Sequence, residues 1–231
     1  AKVFDSEPGN VIVPNPGLKP EYARNIETSV TKRFDNKARL EVTAFYTQLK
    51  DAMVRRQFRL NGEDSILYNG VPSKVEALVN ADKARIYGAS LNAELLFSQT
   101  LRTRHSLTVT RGEDSDHLPV RHVPPLFGTS RLIFENQTWF AELNIQYNGE
   151  ISFDRLAAEE REKPHLYAVD SEGKPFSPAW WTLNAKTSWQ LSPFLTLSGG
   201  VENILNKRYR PYSSGIVAAG TNATISLMLK L

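Results

Sequence analysis

The chain has 231 residues, of which 41% are hydrophobic and 23% are charged, and this composition excludes a disordered polypeptide. Its 28 basic and 25 acidic residues nearly balance, so the charge alone gives no indication of a nucleic-acid-binding protein. The absence of cysteine excludes disulfide scaffolds, thiol nucleophiles and thiolate metal sites, and the sequence has no apolar run of the ~18 residues that a transmembrane helix needs.

The first 20 residues are predicted to form an extended extracellular loop. Prolines stand at positions 8, 14, 16 and 20, and proline favours extended backbone and turns over regular ladders. The remainder of the chain, residues 21–231, is predicted to form the strands of a β-barrel.

Apolar residues recur at every second position along most of that remainder, which is the period of a strand. Within 138–148, for example, Trp139, Leu143 and Tyr147 share one face, whereas Glu142 and Asn144 share the other. A helix would scatter these residues around its circumference. Nine strands are predicted, at 23–34, 38–54, 85–97, 104–112, 126–135, 138–148, 181–191, 195–202 and 222–231.

The predicted connections alternate in length along the chain. Short turns are predicted at 35–37, 101–103, 136–137 and 192–194, and long connections at 55–80, 113–125, 152–179 and 203–220. Transmembrane barrels have short periplasmic turns at one end and long extracellular loops at the other. The sequence therefore predicts an all-β fold, an antiparallel up-and-down segment of a transmembrane β-barrel.

Aromatic residues mark both ends of two apolar stripes. Trp139 and Tyr147 are eight residues apart on one face, and Trp181 and Trp189 repeat this spacing. On a strand tilted by ~40°, eight residues span ~20 Å of barrel height, close to the ~25 Å apolar band between aromatic girdles. We predict that these four residues form a membrane girdle. The alternative is a soluble β-sandwich in which they are core aromatics.

The opposite face of these strands is polar. A barrel turns such a face towards its lumen or towards a plug within it, whereas a sandwich turns it towards water. The residues predicted to face the lumen and plug are Glu94, Glu142, Asn144, Lys186 and Glu202.

The sequence contains no complete catalytic motif. Residues 29–32 match S-x-x-K without its companion motifs, and the four histidines lack zinc-site spacing, so we expect no enzyme, cofactor or metal centre. The acidic run at 113–117 could hold a divalent cation, but it lacks EF-hand spacing, which favours a solvated loop.

The predicted loops are rich in arginine and tyrosine. Such residues suit an anionic, partly apolar ligand through charge-assisted hydrogen bonds and stacking, with lipid headgroups or water as the alternative contacts. The predicted ligand-binding residues are Arg55, Arg56, Tyr68, Arg121, His122, Arg155, His165, Arg208, Tyr209, Arg210 and Tyr212. Residues 156–163, rich in alanine and glutamate, are predicted to form a short helix.

Four segments resemble parts of the TonB-dependent outer-membrane receptors. Residues 15–21 read N-P-G-L-K-P-E and match the family's N-P-x-L-K-P-E box. Residues 85–91 resemble its A-x-x-x-G-x-E strand without the acidic residue. Residues 201–209 resemble its near-terminal G-V-x-N-L-x-D-x-x-Y motif, with Asn206 in place of the aspartate, and 214–220 fit its last hairpin.

The resemblance implies part of a barrel of about 22 strands in the bacterial outer membrane, and 231 residues would then supply about two fifths of it. It also implies, as partners, outer-membrane lipid, a plug and the rest of the barrel, the TonB complex and an imported ligand, but no nucleic acid. Barrels of this kind usually end in an aromatic residue, where this chain has Leu231.

The expected function is active import of a scarce ligand, foremost a ferric siderophore. Haem, cobalamin and glycan uptake are alternatives within the family, and haem is disfavoured because no histidine precedes the N-P-G-L box. A passive porin-like barrel and a soluble β-rich binding module are the alternatives outside it.

Overall fold

The computed structural model describes residues 4–7, 9–161 and 163–230, and the side chains of residues 4–7, 81, 82 and 164 are also outside the description. Predictions that fall on residues 1–3, 8, 162 and 231, including the terminal Leu231, therefore lie outside the described residues. No helix among the described residues is long and apolar enough to span a membrane.

The described residues form fourteen strands and one turn of α-helix. The elements are β1 (Phe4–Glu7), β2 (Asn10–Ile12), β3 (Tyr22–Phe34), β4 (Ala38–Gln57), β5 (Ser65–Tyr68), β6 (Val71–Leu96), β7 (Leu101–Asp114), β8 (Phe127–Glu135), β9 (Trp139–Asn148), α1 (Ala158–Arg161), β10 (Ala168–Val169), β11 (Pro175–Phe176), β12 (Trp180–Ser192), β13 (Leu195–Glu202) and β14 (Asn222–Leu229). Two 3₁₀ turns, Phe153–Arg155 and Pro164–Leu166, flank α1. All nine predicted strands are present, and the predicted short helix corresponds to α1.

The nine long strands form one antiparallel meander in the order β3-β4-β6-β7-β8-β9-β12-β13-β14. β3 and β14 are its two edges, and within the described part of the chain they do not pair with each other. The up-and-down antiparallel prediction is confirmed, with the sheet left open between these two edges.

The strand register separates a polar face from an apolar face across the whole meander. Arg39, Glu94, Arg104, Arg131 and Asn144 lie opposite one another on successive strands and form one polar row. Because side chains alternate along each strand, the neighbouring positions form apolar rows on the other face. The polar row of each strand therefore meets the polar row of the next.

Large aromatic side chains on the apolar face are exposed, whereas the polar face contains both buried and exposed residues. Trp139 is 46% exposed and Trp189 is 54% exposed, whereas Asn144 and Asn184 on the polar face are each only 5% exposed. The accessible surface of 15155 Å² exceeds the roughly 10,500 Å² of a compact soluble protein of this mass. The other described sheet contains only β10 and β11, so no second sheet covers the apolar face as a β-sandwich requires.

The four predicted girdle aromatics pair across the β9–β12 ladder. Trp139 lies opposite Trp189, and Tyr147 lies opposite Trp181. Phe134 of β8 extends the first pair, because its ring meets Trp139 edge-on at 5.2 Å between centroids. The aromatics thus form two rows at the two ends of a shared apolar stripe.

The extended part of β6 carries the N-terminal segment. β2 pairs in parallel with β6 from Asn10 to Ile12, so part of the segment expected as an extended loop is a β-hairpin. A small apolar cluster lies beneath this hairpin. Its buried members are Val11, Val13, Val75 and Ala77, and Phe58, Leu60, Ile66 and Tyr68 pack against them.

The N-P-G-L-K-P-E box connects this hairpin to β3 through side-chain hydrogen bonds to backbone. Asn15 Nδ2 donates to the Leu78 carbonyl at 2.9 Å. The Lys19 amide donates to Asn80 Oδ1 at 2.7 Å, and the Met53 amide donates to Glu21 Oε2 at 2.7 Å. β3 begins at Tyr22, which pairs with Lys50, so no residue of β3 pairs with Met53. The Glu21 side chain accepts the hydrogen bond of the Met53 amide in place of a strand partner.

Two predicted boundaries are wrong. The long connection expected at 55–80 spans only 58–70, because β4 and β6 remain paired as far as Gln57 and Glu76, and Arg55 and Arg56 therefore lie in a strand. Backbone pairing continues there although the apolar alternation has ended. The turn expected at 101–103 lies at 97–100, where Ser98 Oγ accepts the amides of Thr100 and Leu101 at 3.2 and 3.0 Å.

Gly128 provides a stability test of the meander. A Cβ there would lie 2.2 Å from the Ser106 carbonyl and 2.6 Å from the Tyr147 hydroxyl, which donates to the same carbonyl. We expect Gly128→Ala to destabilise the folded protein by about 1–3 kcal/mol through overpacking. Unfolding by urea in detergent, followed by the heat-dependent shift in gel migration, measures it.

The matched control is Gly199→Ala, since a Cβ at Gly199 meets its nearest neighbour, the Thr224 carbonyl, at 3.6 Å. Equal unfolding midpoints for the two variants would contradict the close packing at Gly128.

Candidate ligand-binding site at the long-connection end

The long connections all emerge from one end of the meander, which we call the loop end. They span residues 58–70, 115–126, 149–179 and 203–221. The residues predicted to bind ligand lie in these connections or in the strand ends beside them, and the structure sorts them into distinct groups.

One group surrounds a cavity of about 500 Å³ between the connections 149–179 and 203–221. Four predicted residues, His165, Arg208, Tyr209 and Arg210, line it. Lys207 and Trp180, which the predicted set lacked, line it as well.

Tyr209 and Arg210 build the walls of this cavity. The Tyr209 ring lies on the Trp180 ring at 4.1 Å between centroids with 30° between their planes. Arg210 Nη1 donates to the carbonyls of His165 at 3.1 Å and Leu166 at 2.8 Å, which joins the two connections. The Arg210 guanidinium therefore already forms two hydrogen bonds within the protein.

Three cationic or titratable side chains remain open to solvent around the cavity. His165, Lys207 and Arg208 are all exposed. Nowhere in the described chain does a carboxylate pair with Lys207 or Arg208. An anion that entered the cavity would meet these charges beside the aromatic Trp180–Tyr209 wall.

A second group of predicted cations neutralises carboxylates. Arg56 lies 3.0 Å from Asp114 and 3.4 Å from Glu159. Arg55 lies 3.7 Å from Glu76, and Arg121 lies 3.6 Å from Glu160. These contacts hold strand ends and connections together.

The remaining predicted residues are dispersed. Tyr68 packs against the apolar cluster under the N-terminal hairpin. Arg155 lines a separate cavity of about 160 Å³, and His122 is exposed with a left-handed backbone, φ 62°.

The acidic run at 113–117 is satisfied from within the protein. Asp114 Oδ1 accepts the amides of Asp116 and Leu118 at 3.0 and 2.9 Å, while Oδ2 accepts Arg56. Glu113 accepts a hydrogen bond from Arg85 at 2.8 Å. The described residues contain no group of three or more side chains suited to hold a metal ion.

Glu160 was not identified from the sequence as a buried carboxylate, because its pattern there is that of an acidic residue in a solvated helical turn. Its residue is 0% exposed, and its oxygens accept the hydroxyls of Tyr212 and of Ser213, the latter at 2.6 Å. Tyr212, predicted to bind ligand, thus belongs to this cluster, and Tyr167 lies beside it.

Burial raises the pKa of both the Tyr167 and the Tyr212 phenols above the ordinary value, and the negative charge of Glu160 raises each pKa further. A raised phenol pKa stabilises the folded cluster fully below the ordinary tyrosine pKa of about 10. This stabilisation is lost as the pH rises through the raised values.

Asn203 organises both ends of the last long connection. It is buried with φ 48°, its Nδ2 donates to the carbonyls of Lys207 and Ala219 at 2.9 and 3.1 Å, and its Oδ1 accepts the Lys207 amide at 2.8 Å. Asn206, in the place of the family's aspartate, accepts the Thr221 amide at 3.2 Å. The motif at 201–209 therefore shapes the connection that carries Arg208.

A chain of hydrogen bonds continues from Asn203 onto the polar face of the sheet. The Asn203 amide donates to Asn184 Oδ1 at 2.8 Å, Asn184 Nδ2 donates to Asn144 Oδ1 at 2.9 Å, and Asn144 Nδ2 donates to Glu142 Oε1 at 2.9 Å. Glu142 and Asn144, two of the residues predicted to face the lumen, therefore form side-chain hydrogen bonds with other residues of the sheet.

The other three residues predicted to face the lumen share that polar face by register. Glu94 accepts a hydrogen bond from Arg104 at 2.8 Å and borders a hollow of about 360 Å³. Lys186, opposite Glu142, and Glu202 are exposed.

We expect Asn203→Ala to lower the free energy of local opening of the connection 203–221 by about 3 kcal/mol, because three side-chain hydrogen bonds of about 1 kcal/mol each are lost. Hydrogen exchange of the amides in 203–221 of the folded full-length protein measures the change.

Asn206→Ala is the control. Its backbone has the same φ of 48°, so the left-handed conformation costs both alanine variants equally, but only one amide, that of Thr221, bonds to its side chain. Equal exchange in the two variants would contradict the role assigned to Asn203.

Comparison with known proteins supplies the family. A sequence model described as the TonB dependent receptor-like β-barrel matches residues 3–204. The chain is 26% identical over 237 residues to the pesticin receptor of Yersinia pestis, covering 96% of this chain and 32% of that protein. It is also 26% identical over 231 residues to the heme/hemopexin utilization protein C of Haemophilus influenzae, covering 94% of this chain and 30% of that protein.

The crystal structure of a ferric enterobactin receptor mutant from Pseudomonas aeruginosa shares the fold, with a TM-score of 0.71 at 16% identity over 95% of this chain and 32% of that one. The chain thus spans about a third of the length of these proteins. Since the family match covers most of the sequence, the chain belongs to the TonB-dependent receptors, a family of outer-membrane β-barrel proteins.

Proposed function

We propose that the chain is part of a TonB-dependent active transporter whose loop end binds an anionic ferric siderophore. The observation that carries this proposal is the cavity between connections 149–179 and 203–221, where Lys207, Arg208 and His165 are open beside the Trp180–Tyr209 stack. Charge-assisted hydrogen bonds and aromatic stacking are the contacts that an anionic chelate with flat, partly apolar groups requires.

The names of the relatives support a receptor for scarce ligands and differ in the ligand. One is a pesticin receptor, one a heme/hemopexin utilization protein, and one a ferric enterobactin receptor. Haem is the second candidate, because it is also anionic and flat, and the relative from Haemophilus influenzae favours it. Neutral glycans and cobalamin, which carry no net negative charge, would leave the exposed cations Lys207 and Arg208 beside the aromatic wall without a partner.

Transport in this proposal is conformational gating and not bond chemistry. The polar face would line the lumen and contact a plug that other parts of the protein supply, with energy relayed by the TonB complex. Lys186 and Glu202 are the exposed charges suited to pair with the plug, whereas Glu94 already bonds to Arg104. The plug contacts of Glu142 and Asn144 would extend the hydrogen-bond chain that these residues share.

The exposed apolar face would contact outer-membrane lipid. The rows Trp139–Trp189 and Tyr147–Trp181 would lie at the two membrane surfaces as the aromatic girdle. Residues 1–20 and the long connections would then lie outside the cell, and 21–231 would supply the barrel strands.

Binding by the full-length receptor in detergent tests the ligand class. The probes are ferric enterobactin, haem, cobalamin and a neutral oligosaccharide. We expect saturable binding of ferric enterobactin, and the double variant Lys207→Ala/Arg208→Ala should raise its Kd by tenfold or more, since each lost charge-assisted hydrogen bond contributes about 1.5–3 kcal/mol.

Lys174→Ala is the control, because it removes a cation of the same long connection that pairs with Glu172 at 2.7 Å and does not line the cavity. Its Kd should equal that of the unmodified receptor. Binding of the neutral oligosaccharide alone, or an unchanged Kd in the double variant, would contradict the proposal.

A further inference from the structure

A cluster around Glu160 joins three of the four long connections. Glu160 and Tyr167 belong to 149–179, Arg121 belongs to 115–126, and Tyr212 and Ser213 belong to 203–221. No other carboxylate among the described residues is as deeply buried, since Glu160 is 0% exposed. A single turn of helix, α1, presents it from between the two 3₁₀ turns.

The hydrogen-bond partners of Glu160 belong to the same segments as the residues that line the cavity. Tyr212 and Ser213 directly follow the lining residue Pro211, and Tyr167, which lies beside Glu160, lines the cavity itself. The hydroxyls of Tyr212 and Ser213 donate to separate oxygens of the carboxylate, so both oxygens are used. Because these hydrogen bonds hold the connections 149–179 and 203–221 together, they also set the positions of His165 and Arg208 on the two sides of the cavity.

A fully buried carboxylate is stable only when its charge and both oxygens are satisfied. Arg121 supplies an opposite charge at 3.6 Å, and the two hydroxyls supply the hydrogen bonds. The backbone of His122 also lies beside the Tyr212 hydroxyl. Separating either neighbouring connection from α1 would leave a buried charge without its partners, so the three connections are held together as a unit.

We propose that Glu160 is a positioning residue for the ligand site: it holds the connections 115–126, 149–179 and 203–221 in the arrangement that forms the cationic cavity. It touches no ligand and acts through Tyr212, Ser213 and Arg121. This inference rests on the proposed function for its biological meaning, but the arrangement of the connections is measurable without any ligand.

The test measures the distance between two spin labels across the cavity in the full-length receptor. The chain contains no cysteine, so Val169→Cys and Ile216→Cys place labels uniquely within it, at exposed positions next to the lining residues Ala168 and Val217. We expect one narrow distance distribution with Glu160 present. Glu160→Ala should broaden it and add longer distances, while the gel migration of the folded barrel stays unchanged.

Two further variants separate positioning from a general effect on folding. Glu160→Gln retains an acceptor for Ser213 and can donate to the Tyr212 oxygen, so it should restore the narrow distribution. It also removes the negative charge, so the phenols of Tyr167 and Tyr212 should ionise at lower pH than in the unmodified receptor, as followed by ultraviolet absorbance. Glu172→Ala alters an exposed carboxylate of the same connection, which pairs with Lys174 at 2.7 Å and joins no other connection, and should leave the distribution unchanged.

Glu160→Ala should also raise the Kd for ferric enterobactin by tenfold or more. If the unmodified receptor binds none of the four probes, the proposed ligand class fails while the distance measurement still decides the role of Glu160. A Glu160→Ala distribution that superimposes on that of the unmodified receptor, or a Glu172→Ala variant that broadens it equally, would overturn the positioning role.

Discussion

Backbone hydrogen bonding between the nine long strands determines on which face each side chain lies and from which end the long connections emerge. An apolar surface of this extent offers no hydrogen-bond partners, so amides and carbonyls between strands must satisfy one another. Once strands are paired along their whole length, side-chain alternation leaves each face with one character. Trp139, Leu143 and Tyr147 must then lie on one side, and Glu142 and Asn144 on the other.

The same constraint explains how the loop end is built. β4, β6 and β7 continue past the apolar stripe, and there the ladder carries charged residues whose partners come from neighbouring strands and connections. Arg56 bonds to Asp114 of β7 and contacts Glu159 of α1. Glu160 contacts residues of two other connections and so joins three of them. Internal ion pairs and buried carboxylates order these connections, whereas a smaller set of cations, Lys207 and Arg208 among them, stays exposed to solvent.

The features that could be predicted from the sequence are those that repeat. Period-two alternation and the eight-residue spacing of Trp139 and Tyr147 depend on local geometry, so the nine strands and the register of the aromatic rows follow from them. The continuation of β4 to Gln57 was not predictable from alternation, because backbone pairing persists after the apolar pattern has ended.

The candidate site was predictable only in part, for a different reason. Arginine in a long connection looks the same in sequence whether it meets solvent, as Arg208 does, or a buried carboxylate, as Arg121 does. The distinction depends on contacts between segments separated by as many as 103 residues, such as Arg56 and Glu159. The motif at 201–209 did indicate an important segment, and its Asn203 proves to be a structural residue of the connection.

In the proposed transporter, the apolar face of the meander contacts lipid and the polar face lines the lumen. Spin labels at Ile145→Cys and Gln146→Cys, adjacent on β9 with side chains on opposite faces, test this arrangement in the full-length receptor reconstituted into bilayers. The label at 145 should collide with oxygen dissolved in the bilayer and be protected from a water-soluble nickel chelate, whereas the label at 146 should be protected from the bilayer oxygen. Equal accessibility at the two positions, or the reverse order, would contradict the account.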